Sequence, residues 1–345
     1  MSHNSLFSYS FDEFKQVVTD LGLAQFRAKQ VWEWVFKKFV FSFDEMTNLS
    51  KKDRELLQKQ FPRILPPVKK LQKAQDGTVK IVVELHDGNL VEAVAMPDED
   101  SLTFCLSSQV GCPIGCIFCR TGKDGLVRNL TTEEILLQVM MLIRKIGRKP
   151  SNIVFMGMGE PFLNRKPLFA AIDALTDQSG LGLATRRITV STSGITIGID
   201  ALAKRPGEVN LAVSLHSVDD QTRTRLVPIN KKYPLEKLRQ SIANYCDATG
   251  RRVTFEMVLL KGINDQEIDA FNLVNFCEGL ICHINIVRFN TFPGCSLEPA
   301  SENEEREYRK ILKKAGIPVT VRKSRGGDIL AACGQLSGSG NEQEK

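Results

Sequence analysis

No stretch of the 345 residues is apolar enough, for long enough, to cross a membrane. Met1 to Tyr9 also lacks the basic start and apolar run of a secretory leader. Both absences lead us to expect a cytoplasmic chain with no membrane partner. No internal repeat recurs, so a repeat architecture is not expected. The nine cysteines are odd in number and do not read as a disulfide framework. In a reducing compartment, those that cluster are expected to hold metal or to react. What remains is ordinary globular composition, 42% hydrophobic and 25% charged, enough for one large domain and a small one.

Charge is unevenly spread. The net charge is +6, and residues 51–80 alone carry nine Lys and Arg against three Asp and Glu. One segment therefore matches the whole excess. A local basic patch fits a polyanion such as nucleic acid. A solvated Lys-rich helix face accounts for the charge equally well.

Hydrophobic spacing divides the chain. Phe11, Phe14, Val17, Val18 and Leu21 recur at helical intervals, as do Val31, Trp34 and Val35, then Leu56, Leu57 and Phe61. Pro62, Pro66 and Pro67 close this block. Val79–Leu85 and Leu90–Met96, joined by His86-Asp87-Gly88-Asn89, read as a β-hairpin. Residues 1–97 are thus expected to be a small helical domain plus a hairpin. From about residue 100 strands alternate with helices. Expected strands are 102–106, 153–156, 188–191, 211–215, 253–259 and 284–289, with helices such as 132–146 and 235–247. That alternation predicts an α/β fold, a partial (β/α)6 barrel over residues 98–336. A last strand, Val319–Arg322, leads into a Gly-rich loop. Residues 337–345 are polar and expected to be disordered.

The sharpest local feature is Cys112-Pro-Ile-Gly-Cys116-Ile-Phe-Cys119, just after an expected strand. Cysteine thiolates hold iron–sulfur clusters. Three ligands on a four-iron cluster leave one iron for an external chelator, and S-adenosylmethionine offers an amine and a carboxylate. A zinc site or buried structural cysteines stay open on spacing alone, although structural zinc takes four ligands and no fourth lies near.

This C-x₃-C-x₂-C run resembles the fingerprint of the radical S-adenosylmethionine superfamily. Gly157-Met158-Gly159-Glu160-Pro161 looks like that family's Gly-Glu motif. Longer strings narrow the resemblance to the family of adenine-C2 methyltransferases acting on large-subunit (23S) ribosomal RNA and on transfer RNA. They are Trp32-Glu33-Trp34, Ser107-Ser108-Gln109-Val110-Gly111, Leu211 to His216, Pro228 to Pro234, Val321 to Ile329 and Ala332 to Leu336. Arg288, Arg120 and Gly327 are small departures beside the chemical residues.

The resemblance implies a [4Fe-4S] cluster on Cys112, Cys116 and Cys119, and two molecules of S-adenosylmethionine per turnover. It implies cofactor contacts from Gly159, Glu160, Ser191, Ser214, Leu215, His216 and Asn290. It implies that Cys333 carries the methyl group as S-methylcysteine and forms a covalent bond to RNA. Glu92 would take the C2 proton. Cys105 would resolve the adduct through a transient disulfide. From its place between Val91 and Ala93, Glu92 by itself reads as a solvent-facing strand residue. Cys246, Cys277, Cys282 and Cys295 have no ligand spacing and read as structural. Arg322, Lys323 and Arg325 are candidates for phosphate contacts near Cys333, and Lys69, Lys70 and Lys73 for a more distant grip. Expected partners are the two RNAs and an electron donor such as a flavodoxin or ferredoxin, with the chain a monomer. An adenine-C8 methyltransferase of the same lineage, an iron–sulfur RNA-binding redox sensor and a zinc-binding module are the competing readings.

Overall fold

The computed structural model describes residues 5–338. Three helices open the chain, α1 (Phe11–Asp20), α2 (Phe26–Phe36) and α3 (Lys51–Gln60). Ser10 and Ser50 start α1 and α3 by accepting the amide N–H three residues on. Their apolar faces meet in an aromatic knot in which Phe14 and Phe36 both pack on Trp32. Ser8 donates to Glu133 and Lys37 to the Gln178 carbonyl, which tie this block to the first barrel helix and to the turn after the second.

An antiparallel meander follows, β1 (Val68–Lys73), β2 (Val79–Glu84) and β3 (Leu90–Pro97). The hairpin is the one expected from sequence. Strand β1 was not expected, because its half-exposed lysine-rich run carries no apolar alternation. Strand β4 (Leu102–Cys105) joins β3 antiparallel and begins the parallel part of the sheet. The parallel order continues through β7 (Asn152–Phe155), β8 (Ile188–Thr192), β9 (Asn210–Ser214), β10 (Val253–Leu259), β11 (Cys282–Arg288) and β12 (Val319–Arg322). A separate two-stranded ribbon, β5 (Gln109–Gly111) and β6 (Leu126–Asn129), brackets the cysteine run.

Helices make every parallel crossover: α4 (Thr132–Ile146), α5 (Arg165–Thr176), α6 (Thr196–Ala203), α7 (Asp220–Leu226) with α8 (Leu235–Thr249), α9 (Glu267–Cys277) and α10 (Glu302–Lys314). This is the partial (β/α)6 barrel expected from the alternation. Loops after the strands cluster at one end, where α/β barrels place their chemistry.

Beyond β12 the chain does not trail away. Residues 323–338 form a strap back across the meander. Asp76 accepts the Gly326 amide, Asp328 accepts the Gln75 amide, and Arg325 donates to the Pro97 carbonyl and Asp98. The strap therefore joins β12 to the opposite end of the sheet. Ser337, expected in a disordered tail, is held by a hydrogen bond to Glu92 at 3.0 Å; residues 339–345 lie outside the described residues.

Candidate active site

Two adjoining cavities open at the loop end. One, of about 180 Å³, is lined by Cys112, Cys116 and Cys119 together with Gly159, Glu160, Ser191, Ser214, His216, Glu256 and Asn290. The other, of about 360 Å³, is lined by Met96, Thr103, Cys105, Met156, Lys323 and Arg325, among others. Cys119, Arg322, Asn290 and Cys333 border both.

The cysteine loop is shaped by its backbone. Gly111 has φ +75°, and a Cβ there would sit 2.0 Å from the Gly125 carbonyl oxygen. This close approach brings the two ends of the loop together, and the Cys112 amide donates to the same oxygen at 2.7 Å. Burial pushes the Cys112 thiol up to about 12 and the Cys116 thiol well above its ordinary value. Cys119 is raised for the same reason. The thiols alone thus resist ionisation, and a bound positive group would supply the charge that thiolates need. Among the described residues, no three His, Cys, Asp or Glu side chains converge on one metal-ion position. Three thiols around one cavity, each free to meet a different iron, suit a cluster better than a single zinc ion.

The Gly157–Pro161 turn needs its glycines. A Cβ on Gly157 would lie 2.7 Å from the Leu106 carbonyl, and one on Gly159 would lie 2.6 Å from Gln109 Cβ. Glu160, nearly fully buried, accepts from the Ser193 amide and hydroxyl at 2.7 Å each and from the Phe162 amide at 3.1 Å. Burial raises its pKa and these donors offset that in part.

His216 has φ +59° and is buried. Its Nδ1 accepts the Val258 amide at 3.1 Å, so the neutral ring carries its proton on Nε2. Burial, with the Arg223 charge nearby, depresses its pKa to about 3, which keeps the ring neutral. Leu215 is fully buried and does not line either cavity. Its main chain instead donates to the Glu256 carbonyl and accepts from Arg223. Asn290 donates to the Cys333 carbonyl at 3.3 Å.

Cys333 is exposed at the boundary of the two cavities, and Cys105 is buried in the wall of the larger one. Burial, with the Cys333 sulfur nearby, pushes the Cys105 thiol up to about 12, and Arg322 pulls it down. The Cys333 loop is bolted at several points: the Arg120 main-chain amide donates to the Gly334 carbonyl, the Thr121 hydroxyl to the Leu336 carbonyl and the Gln335 side chain to the Thr291 carbonyl.

Four sequence expectations change here. Glu92 is fully buried rather than solvent-facing, because the strap covers its face of β3, and it lines neither cavity. Arg322 turns inward beside the two thiols, with one N–H on the Met156 sulfur, and is not placed for phosphate. Arg325 is spent on Pro97 and Asp98. Lys80, counted in the basic segment, is fully buried.

Sequence reading missed Glu256 and Arg223. Glu256 on β10 is buried, faces the smaller cavity and accepts from Asn285 on both oxygens. Arg223 on α7 is completely buried and donates to the carbonyls of Ser193, Ser214 and Leu215 and to Asn230. Burial lowers its pKa to about 10. A charged residue in an apolar strand such as β10, or among the polar residues of α7, carries no signal for which way it turns.

Residues 106–274 match the radical SAM superfamily, and residues 4–62 match the ribosomal RNA large subunit methyltransferase N-terminal domain. The chain is 40% identical to the dual-specificity RNA methyltransferase RlmN of Syntrophus aciditrophicus, over 100% of this chain and 99% of that one. It is 40% identical to the probable dual-specificity RNA methyltransferase RlmN of Bacillus subtilis, over 99% and 94%. It is similar to the crystal structure of a radical SAM methyltransferase from Sphaerobacter thermophilus, with TM-score 0.92, 40% identity and coverage of 97% and 99%. With the cysteine loop, the Gly-Glu turn and the strap-borne Cys333 all in place, the chain belongs to the RlmN family of radical SAM RNA methyltransferases, enzymes that use a [4Fe-4S] cluster and S-adenosylmethionine.

Proposed function

We propose that this enzyme methylates C2 of a specific adenine in large-subunit ribosomal RNA and an adenine in transfer RNA. The observation that carries the reading is the position of Cys333, which borders both cavities and shares the larger with Cys105. A methyl carrier has to face the methyl donor on one side and the acceptor base on the other. When bound, the cluster and S-adenosylmethionine supply the methyl group and one-electron chemistry at the carbon on the Cys333 sulfur.

The chain's own residues do the rest. Cys112, Cys116 and Cys119 hold the cluster. Glu160, through Ser193, shapes the turn that meets the methionine end of S-adenosylmethionine, and Gly159 leaves room for it. Ser191, Ser214, the Leu215 main chain, His216 through Nε2–H, and Asn290 complete that cavity. The larger cavity receives an adenine unstacked from its RNA. Once the carbon on Cys333 is bonded to C2 and the adduct has given up its unpaired electron, which would return to the cluster, Glu92 accepts the C2 proton, and the electron pair of the C–H bond stays with the ring. The Cys105 thiolate then bonds to the Cys333 sulfur. The sulfur–carbon bond breaks, its electron pair leaves with the carbon, and a proton completes the methyl group. The two thiols end oxidised as a disulfide, which an external thiol reductant must reopen.

Residues 1–97 would grip the RNA away from the site, with Lys69 and Lys73 exposed on edge strand β1. A flavodoxin- or ferredoxin-type donor would supply electrons to a monomeric, cytoplasmic enzyme. Among the described residues no helix is long and apolar enough to cross a membrane.

The deciding experiment is an anaerobic assay of reconstituted enzyme with deuterium-labelled S-adenosylmethionine and separate ribosomal and transfer RNA fragments, read by nucleoside mass spectrometry. C2-methyladenosine from both RNAs is expected. A C8 product, or an intact cluster with no labelled nucleoside, would overturn the reading.

A further inference from the structure

Lys80 is the unexpected group in the molecule. It lies on β2 between Val79 and Ile81, deep in an apolar sheet, and is fully buried. An ammonium is seldom placed so without a task, since burial disfavours its charge and lowers its pKa. Its Nζ donates to the Leu330 carbonyl at 3.0 Å and stands 3.2 Å from Glu92 Oε1. Glu92, equally buried, accepts the Ser337 amide through Oε2 at 3.0 Å.

The two partners lie on either side of Cys333. Leu330 is three residues before it, and Ser337 four after it. Leu330 takes a left-handed conformation, φ +52°, which turns the chain into the Cys333 loop. One buried ion pair thus holds both shoulders of the loop. The pair is also incomplete. Glu92 Oε1 faces only this ammonium, at 3.2 Å, and has no other hydrogen-bond partner among the described residues. That oxygen keeps the open lone pair a proton acceptor requires.

We propose that Lys80 is a positioning residue that couples the Cys333 strap to the Glu92 carboxylate, setting both for removal of the adenine C2 proton. The inference rests on the roles of Glu92 and Cys333 given under Proposed function. In the step concerned, the C2–H bond breaks, the proton goes to the carboxylate and the electron pair remains in the base. Lys80 exchanges no proton. It supplies the counter-charge that a buried carboxylate needs and fixes the loop to the same point. Glu92 lines neither cavity and the Ser337 amide covers Oε2, so this shoulder has to lift before the carboxylate, Oε1 included, meets the substrate.

The test compares the K80Q, K80R and E92Q holoenzymes with the parent, using a ribosomal RNA fragment. Three quantities are read: S-methylation of Cys333 by peptide mass, the covalent RNA–protein adduct, and released methyladenosine. In K80Q, product should fall about a hundredfold, well beyond any loss of Cys333 methylation, and adduct should accumulate, as loss of proton transfer would give. K80R should recover part of the product. A parallel fall in Cys333 methylation and product would overturn the proposal, since a merely structural lysine lowers both. If E92Q accumulates adduct while K80Q turns over normally, Lys80 is wrong and the base is right. If E92Q itself turns over normally, the base reading fails and takes this inference with it. The K80M/E92Q double variant removes both charges and so avoids an unpaired buried ion. Its strap, residues 326–338, should exchange amide hydrogens about tenfold faster than the parent's, the loss of roughly one to two hydrogen bonds. Unchanged exchange would overturn the coupling.

Discussion

Arg322 places its guanidinium beside both Cys105 and Cys333, the two thiols that face the larger cavity. It also feels the buried carboxylate of Glu256. This is a cation near a thiol pair, on the last strand of the sheet, and under the proposed scheme it bears on how the covalent adduct would be released. Burial keeps the Cys105 thiol protonated, and the nucleophile is the thiolate. Arg322 works against burial.

Release should therefore depend on pH in a definite direction. With the Cys105 thiol at about 12, its thiolate fraction grows roughly tenfold per pH unit through the neutral range. Single-turnover decay of the covalent adduct should quicken as pH rises from neutrality towards 9. Arg322→Gln should slow release at every pH, because it removes the charge that favours the thiolate. A pH-independent decay would show that another step controls release.

Cys105→Ala should stop release altogether. The variant should purify with RNA covalently attached to Cys333, visible as a nuclease-sensitive gel shift. A variant that is free of RNA and still turns over would remove Cys105 from the scheme.

Arg223 braces the wall of the smaller cavity through three backbone carbonyls, with Asn230 taking a fourth hydrogen bond. Arg223→Met leaves the carbonyls of Ser193, Ser214 and Leu215 without this donor in a dry interior. Each hydrogen bond from a charged group contributes about 1.5–3 kcal/mol, so a loss of about 3 kcal/mol or more is expected. Chemical denaturation of the variant measures it. A midpoint equal to the parent's would contradict this account.

Gly159→Ala tests the Gly-Glu turn. A methyl group there meets Gln109 at 2.6 Å, and Gln109 Oε1 accepts the Glu160 amide at 2.8 Å. The backbone also has φ +101°, which a side chain disfavours. S-adenosylmethionine affinity should fall about tenfold or more, as a one-to-two kcal/mol strain implies. Isothermal titration reads it directly.

The grip on RNA is an electrostatic prediction. Lys69→Gln with Lys73→Gln should lower the slope of log affinity against log salt by roughly 0.7 to 0.9 per lost phosphate contact. Lys69 also pairs with Glu84 at 3.0 Å, so its share should be the smaller. An unchanged slope in both variants would move the RNA contact elsewhere.

The sequence alone determined the period-of-two strands, the helices between them and the cysteine spacing. Those are local properties, written in successive residues. It could mark the Cys112–Cys119 run because three ligands of one group lie within one loop. It could not read Glu92, Lys80, Arg223 or Glu256. Glu92, Lys80 and Glu256 are charged residues in apolar runs and Arg223 is one charge among the polar residues of α7, and periodicity says only that each lies on one face of a strand or helix. Which face is covered depends on what packs there, and for Glu92 and Lys80 that is a strap from the far end of the chain. The resemblance named Cys333 and Cys105, but only the tertiary structure put them in one cavity with Arg322. Burial then decided the chemistry, because a charge in a dry interior has to find a partner, and its partners come from distant parts of the chain.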